Sequence, residues 1–367
     1  MRRIWLLALV GALAVTLSSW AKKKKEEETQ VLQLPKDPPS AITADTRRLV
    51  FHVTPLSAKG LLSQQTRDAL KWLLRSTNGS TVVKLRAFVA GSGDMRRVRE
   101  LVSETFTEHR LALPVLSVVQ VGALPLGQAQ VVMESTAVAK KAVNDYGLVY
   151  ISGQGASANE PLNPVLPLAE QSLARLATAV KAAGSGPEDV ARVTCFLSSL
   201  DQIAEVRRRV ESSYARAALN FVQLQRTPTH AVAECEAVAR LRWDTGAAVH
   251  MLNPEGLGPS PQLSQIVLIG APRVILTGSQ QAFGFQDADA RLAFERLQKS
   301  LAQEGGSLRE VAFASSYPLS TRISEQVRKI RGEFYDRARP PAGTMLPFQG
   351  LPSIDAGFAV DVVAVKE

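Results

Sequence analysis

The sequence predicts an α+β protein made of three tandem units, each a mixed sheet with two helices on one face, packed around a pseudo-threefold axis. Three observations lead there. One order of signals (strand, helix, strand, helix, strand pair) recurs in three stretches of about 100 residues, a period that marks a repeated unit. The second helix of each stretch carries an apolar face at nearly the same spacing: Met95, Val98, Val102 and Phe106; Ile203, Val206, Val210 and Tyr214; Ile323, Val327, Ile330 and Phe334. Helices on one side leave the other face of each sheet apolar, and three such faces find cover against one another.

The chain opens with the pattern of an export signal. Met1–Ala21 has two arginines, an apolar run from Ile4 to Leu17, then Ser19 and Ala21 at the −3 and −1 places that signal peptidase accepts. The run is shorter than the roughly 18–20 residues that cross a bilayer comfortably. Cleavage, a periplasmic or secreted location and no membrane span after cleavage are expected, with an uncleaved anchor as the alternative. Residues 22–45 read as a charged, proline-rich linker, Lys22–Lys25 against Glu26–Glu28 and then Pro35, Pro38 and Pro39. With 46% hydrophobic and 21% charged residues, the composition excludes both a disordered chain and a polytopic membrane protein. The formal charge of +9 falls to +7 once Arg2 and Arg3 are removed.

The first unit is placed at residues 46–139, and it closes with strands Leu116–Val121 and Gln130–Ala139. The second, at 146–242, is the clearest. Strand Leu148–Ser152 precedes a helix with Leu173, Leu176, Ala177 and Val180 on one face, which Gly184 and Gly186 end. Strand Ala191–Leu197, a helix opened by Asp201, and strands Asn220–Leu224 and Ala231–Leu241 complete it. Residues 243–263, broken by Pro254, Gly256, Gly258, Pro259 and Pro261, read as a linker. The third unit, 264–367, repeats the order with Arg273–Thr277, a helix carrying Ala293, Leu297 and Leu301, then Glu310–Ser315, the second helix, Thr344–Phe348 and Gly357–Val365.

Tyr146, Ser152, Gly153 and Gln154, in the frame Y-x3-Y-I-S-G-Q, resemble the RidA/YjgF family of imine and enamine deaminases. That family's closing signature, P-A-R-S-x-V-x-V-x-x-L-P followed by an E-A-I-A strand, has a counterpart in each unit. It runs Pro114–Pro125 with Glu134 opening ESTA, Ala217–Pro228 with Glu236 opening EAVA, and Pro341–Pro352 with Asp361 opening DVVA. The resemblance implies a chorismate-mutase-like fold for each unit. It also implies ligand clefts between units, as in the homotrimers of the family, so that this chain looks like such a trimer fused into one polypeptide and acts as a monomer.

One departure bears on activity. The family arginine of P-A-R-S clamps a substrate carboxylate through paired charge-assisted hydrogen bonds; its place here is taken by Leu116, Leu219 and Gly343. Arg110, Arg216 and Arg339 lie a few residues upstream, within conceivable reach of the site; the plainer reading is that they are solvated residues at the end of the second helix. The family carboxylate that orients the hydrolytic water aligns with Glu134, Glu236 and Asp361, with one-residue insertions in units one and three. A carboxylate on an apolar strand can serve as a general base; the plainer reading is an outward-facing strand residue. Ser152, Gly153 and Gln154 are cleft positions by resemblance, together with Leu116, Leu219 and Gly343. The expected protein binds a small molecule between units and has lost its deaminase site. The alternative is a divergent hydrolase of the 2-iminobutanoate/2-iminopropanoate deaminase type with Glu236 or its counterparts as base.

Other chemistries find little in the sequence. His52, His109, His230 and His250 have no metal-ligand spacing, and no metal is expected. There is no Walker loop, and Gly91–Arg96 lacks the last glycine of a dinucleotide fingerprint, so no cofactor is expected. Scattered basic residues with few aromatics argue against nucleic acid as a partner. Cys195 and Cys235 fall on strands that are neighbours in the resembled fold, in a compartment where a disulfide could form; buried thiols are the favoured reading, because bonds directly across two strands are rarely unstrained.

Overall fold

The computed structural model describes residues 36–77, 79–258 and 262–366; the expected signal segment lies outside them. In chain order the elements are β1 (Ala41–Asp45), β2 (Leu49–Val53), α1 (Leu62–Ser76), β3 (Thr81–Ala90), α2 (Met95–Glu108), β4 (Val115–Val121) and β5 (Val131–Val138). Then come β6 (Leu148–Ala158), α3 (Val165–Ala182), β7 (Val190–Leu197), α4 (Ile203–Ser213), β8 (Ala218–Gln223), β9 (Ala231–Arg240), β10 (Val249–Leu252) and β11 (Ile266–Ile269). The last group is β12 (Arg273–Thr277), β13 (Gln280–Phe283), α5 (Asp287–Gln303), β14 (Val311–Pro318), α6 (Thr321–Phe334), β15 (Ala342–Met345) and β16 (Ala356–Lys366).

Three sheets share one core order: β2-β5-β3-β4, β6-β9-β7-β8 and β12-β16-β14-β15. In each, the first two pairings are antiparallel and the last is parallel. The irregularities repeat as well. The register slips between Val82 and Lys84, between Val190 and Arg192, and between Val311 and Phe313. A bulge inserts one extra residue and so re-aims every side chain after it. From Lys84, Arg192 and Phe313 onward, alternate residues of the three central strands point at a common axis.

The helices cover the opposite faces, each with its own core. Leu168, Leu173, Leu176 and Val180 of α3 pack with Val206 and Val210 of α4 on β6, β7 and β9. Burying each such side chain stabilises the fold by about 1.5–3 kcal/mol. The inner faces form two further clusters drawn from all three sheets. At one end of the axis Leu49, Phe51, Tyr150, Val274, Phe313 and Val363 pack together. At the other, Phe88, Phe196 and Tyr317 gather around Phe348, with ring centroids 5.2–6.5 Å from it.

Three features differ from the sequence reading. Residues 41–45, read as linker, form β1, which pairs with β12 of the third sheet. Residues 249–252, also read as linker, form β10, and β11 from the expected third unit joins the second sheet through β6. Isolated runs of four or five residues carry too little periodicity to stand out, and they are strands because an open sheet edge offers backbone partners. Cys195 and Cys235 are joined as a disulfide instead of remaining thiols. They are direct partners of β7 and β9 with Cα atoms 4.1 Å apart, the close spacing at which opposite side chains in an antiparallel pair meet. Among the described residues no helix is long and apolar enough to cross a membrane.

Candidate functional site

The three expected carboxylates meet on the axis. Glu134 faces Arg86 across β5 and β3, Glu236 faces Thr194 across β9 and β7, and Asp361 faces Ser315 across β16 and β14. Ser117, Asn220 and Thr344 complete the three sets on the parallel strands. Each carboxylate is served by the next unit. Asn220 Nδ2 and Thr194 Oγ1 donate to Glu134 at 2.7 and 2.6 Å, and Thr344 Oγ1 donates to Glu236 at 2.6 Å. Ser117 Oγ donates to Asp361 at 2.7 Å, and Tyr317 adds a bond to the same oxygen at 2.8 Å.

Three cations balance the three acids. Arg86 sends Nε to Glu134 at 2.8 Å and Nη2 to Glu236 at 2.6 Å, bridging two units. Lys84 pairs with Asp361, and Arg192 stands 3.5 and 3.6 Å from Glu134 and Glu236. Glu134 and Glu236 are 1% exposed and Asp361 2%. Burial by itself would push Glu134 up; the charges of Arg86 and Arg192 and the bonds from Thr194 and Asn220 outweigh it and bring the carboxyl down to about 2. Burial likewise opposes the Arg86 charge, yet Glu134 and Glu236 hold the guanidinium well above its ordinary value. With its pKa held down, Glu134 is a poor proton acceptor near neutral pH. The three carboxylates expected as general bases thus sit in one buried, charge-paired cluster on the axis.

The cleft positions lie one residue away, at the seams between units. At the seam between the second and third units, β15 lies against β6 and the two are sewn together. Gly343 N donates to Ser152 Oγ at 2.8 Å, Ser152 Oγ donates to Ser264 O at 2.6 Å, and Gln154 Nε2 donates to Gln265 Oε1 at 3.0 Å. Gly153 has no room for a Cβ, because the Glu234 carboxylate fills that space. Burial, reinforced by the Glu236 charge and opposed by Arg328, pushes Glu234 up to about 8. At the seam between the third and first units, Ser279 N donates to Leu116 O at 3.2 Å, and a Cβ on Gly278 would lie 2.9 Å from the same oxygen.

The seam between the first and second units is open. A cleft of about 880 Å³ around Leu219 is lined by residues of β2 and β8. Phe51, Trp72, Leu126 and Phe221 give it apolar walls, and Arg207 and Arg216 border it without any acid among its lining residues. The Arg207 guanidinium stands 5.5 Å from the centre of the Phe221 ring. His52 also lines it; burial lowers the imidazole pKa, and Nδ1 has no hydrogen-bond partner among the described residues. Val132, two residues before Glu134, stands in this cleft where Glu234 stands in the sewn seam.

The family model described as Endoribonuclease L-PSP matches residues 139–241, the span of the second sheet's core strands. The second unit is the part of the chain that this family model matches. Solved structures similar to the chain include a Rid-family protein of unknown function from Yersinia pestis, 20% identical over 33% of this chain and all of that one, with a TM-score of 0.31. A YjgF/YER057c/UK114-family protein from Mycobacterium tuberculosis is 18% identical over 32% of this chain and 99% of its own, with a TM-score of 0.24. TdcF from E. coli, solved with bound serine, is 22% identical over 28% and 92%, with a TM-score of 0.23. No curated protein matches the chain.

Beside this RidA-type unit, Arg216 turns out to border the open cleft, while Arg110 is exposed past the end of α2 and Arg339 pairs with Asp336 at 3.1 Å. Tyr146 is exposed. Sequence reasoning missed Lys84, Arg86 and Arg192. The signal was present: charged residues inside the otherwise apolar runs TVVKLRAFVA and VARVTCFL, spaced by two so that Lys84 and Arg86 share a face.

Proposed function

We propose that this is an exported RidA-like binding protein, folded as a monomeric pseudo-trimer, that takes a small organic anion with an apolar body in the cleft between its first and second units and does not hydrolyse imines. The observation that carries the reading is the division of labour. The carboxylates are consumed on the axis, while the open cleft offers aromatic walls and two arginines with no acid. Leu219 in place of the clamping arginine supports loss of the family chemistry, since a carboxylate loses its bidentate partner. Export is supported by the pattern of residues 1–21 and by the Cys195–Cys235 disulfide, a bond that persists in oxidising compartments.

The test is turnover of the chain from Lys22 onward on 2-imino acids generated in situ by an amino-acid oxidase, beside Leu219→Arg. No turnover by the parent, together with thermal stabilisation by aromatic carboxylates that Arg207→Ala and Arg216→Ala abolish, is the expected result. Parent turnover at rates well above buffer would overturn it.

A second reading, a divergent imine or enamine hydrolase, rests on Glu234 and not Glu236. Glu234 is held as a carboxylic acid beside Gly153 with its pKa near working pH, the condition for a proton donor to an imine nitrogen. Activity that survives Leu219 substitutions but vanishes in Glu234→Gln would select it.

A further inference from the structure

We infer that the protein carries a second, separate anion site on α6, suited to the phosphate group of a small phosphate ester. A cavity of about 300 Å³ there is lined by Arg328, Lys329, Arg331, Arg337, Tyr335 and Gln262. It lies beside the seam between the second and third units, where Ser264 Oγ donates to Pro340 O, but Ser152, Gly153, Gln154 and Gly343 are not among its lining residues.

Two buried groups in it lack what their chemistry requires. Arg331 is 5% exposed, yet it forms no ion pair among the described residues; Nη2 reaches only Gln262 O, at 3.1 Å, and Gln262 Oε1, at 3.5 Å. A guanidinium taken out of water is ordinarily matched by a carboxylate, a phosphate or another anion. Tyr335 is 4% exposed and its hydroxyl has no hydrogen-bond partner among the described residues. Its ring is fixed edge-on against Phe294, 5.8 Å between centroids, and Arg309 holds its backbone carbonyl at 2.9 Å. The hydroxyl is thus a donor held in place beside a cation.

The charge around the pair sets the class of ligand. Lys329 is engaged by Asp287 at 3.5 Å and the one acid lining the cavity, Asp336, by Arg339 at 3.1 Å. Arg331 and Arg337 form no ion pair among the described residues, and Arg328, exposed, is within electrostatic reach of Glu234. Three guanidiniums and a phenol suit a doubly charged oxyanion better than a single carboxylate, because planar forks pair with two phosphate oxygens at a time.

The probe is inorganic phosphate, titrated calorimetrically into the chain from Lys22 onward at pH 8 and constant ionic strength, with chloride and acetate as controls. One equivalent of phosphate is expected to bind, acetate at least about tenfold more weakly. Tyr335→Phe is expected to weaken phosphate about tenfold or more, and Arg331→Met to abolish binding while raising the ligand-free unfolding midpoint, since it removes a buried charge without a partner. If Arg331→Met does not fold, Tyr335→Phe and the exposed Arg328→Ala carry the test. No phosphate binding beyond the chloride control, or binding unchanged in Tyr335→Phe and in the arginine variant, would overturn the inference. Either result leaves the open cleft between the first and second units untouched, because none of these residues lines it.

Discussion

The axis and the seams are built from equivalent positions of the same strands, and they have diverged in opposite ways. On the axis Ser117, Asn220 and Thr344 all remain hydrogen-bond donors, and Glu134, Glu236 and Asp361 all remain acids. One residue earlier, at the seams, Leu116, Leu219 and Gly343 have gone three ways: one packed, one bordering an open cleft, one closed onto its neighbour. The difference follows from what each place demands. Buried charge must be matched, so three cations answer three acids; a seam near the surface can open or close at small cost. A single chain also relaxes a constraint that binds a homotrimer, in which every axial residue occurs three times. Three copies of Arg86 would crowd three guanidiniums at one level. Here Thr194 and Ser315 take the other two places.

The largest effect should come from breaking the axis. Arg86→Met leaves Glu134 and Glu236 buried without their shared cation and is expected to cost about 3–5 kcal/mol, read as a lower denaturant midpoint. Adding Glu134→Leu and Glu236→Leu should recover most of that loss, because an apolar replacement of the whole group removes the unmatched charges. Acid titration separates axis from seam by sign. Glu134 has its pKa depressed from 4.5 to about 2, so its contribution of about 3 kcal/mol is present above pH 4.5 and lost as pH falls toward 2. Glu234 has its pKa raised to about 8, so its contribution is complete below pH 4.5 and is lost as pH rises through 8. Midpoints measured from pH 2 to 9 should therefore lose their alkaline decline in Glu234→Gln and keep the acid one.

Smaller effects sharpen the contrast among the seams. Ser152→Ala removes a hydroxyl that both accepts from Gly343 and donates to Ser264, and should cost about 1–3 kcal/mol in thermal or chemical unfolding. Arg207→Ala, at the open seam, should leave stability within about 0.5 kcal/mol while weakening anion binding measured by thermal shift. A stability loss at Arg207 as large as that at Ser152 would mean that the open cleft is held together as tightly as the sewn seam.

Much of the fold was legible because periodicity is local. The apolar stripe of α2, for example, follows from Met95, Val98, Val102 and Phe106 alone, whichever sheet lies beneath it. β1 and β10 were not legible, since five and four residues acquire strand structure only from the edge they pair with. The cysteine pair stood on the same boundary: neighbouring strands followed from the resemblance, but direct opposition depended on the register of β7 against β9.

By itself, then, the sequence determined three units of one topology, a RidA-like signature in each, the missing arginine and three retained carboxylates. Only the tertiary structure decided what the carboxylates do, which seam opens and which strands cross between units. The reason is physical. Secondary structure and pattern depend on neighbours a few residues apart, whereas the state of a charged group depends on whatever the fold brings within a few ångströms of it, and Arg86 reaches Glu236 across 150 residues of chain.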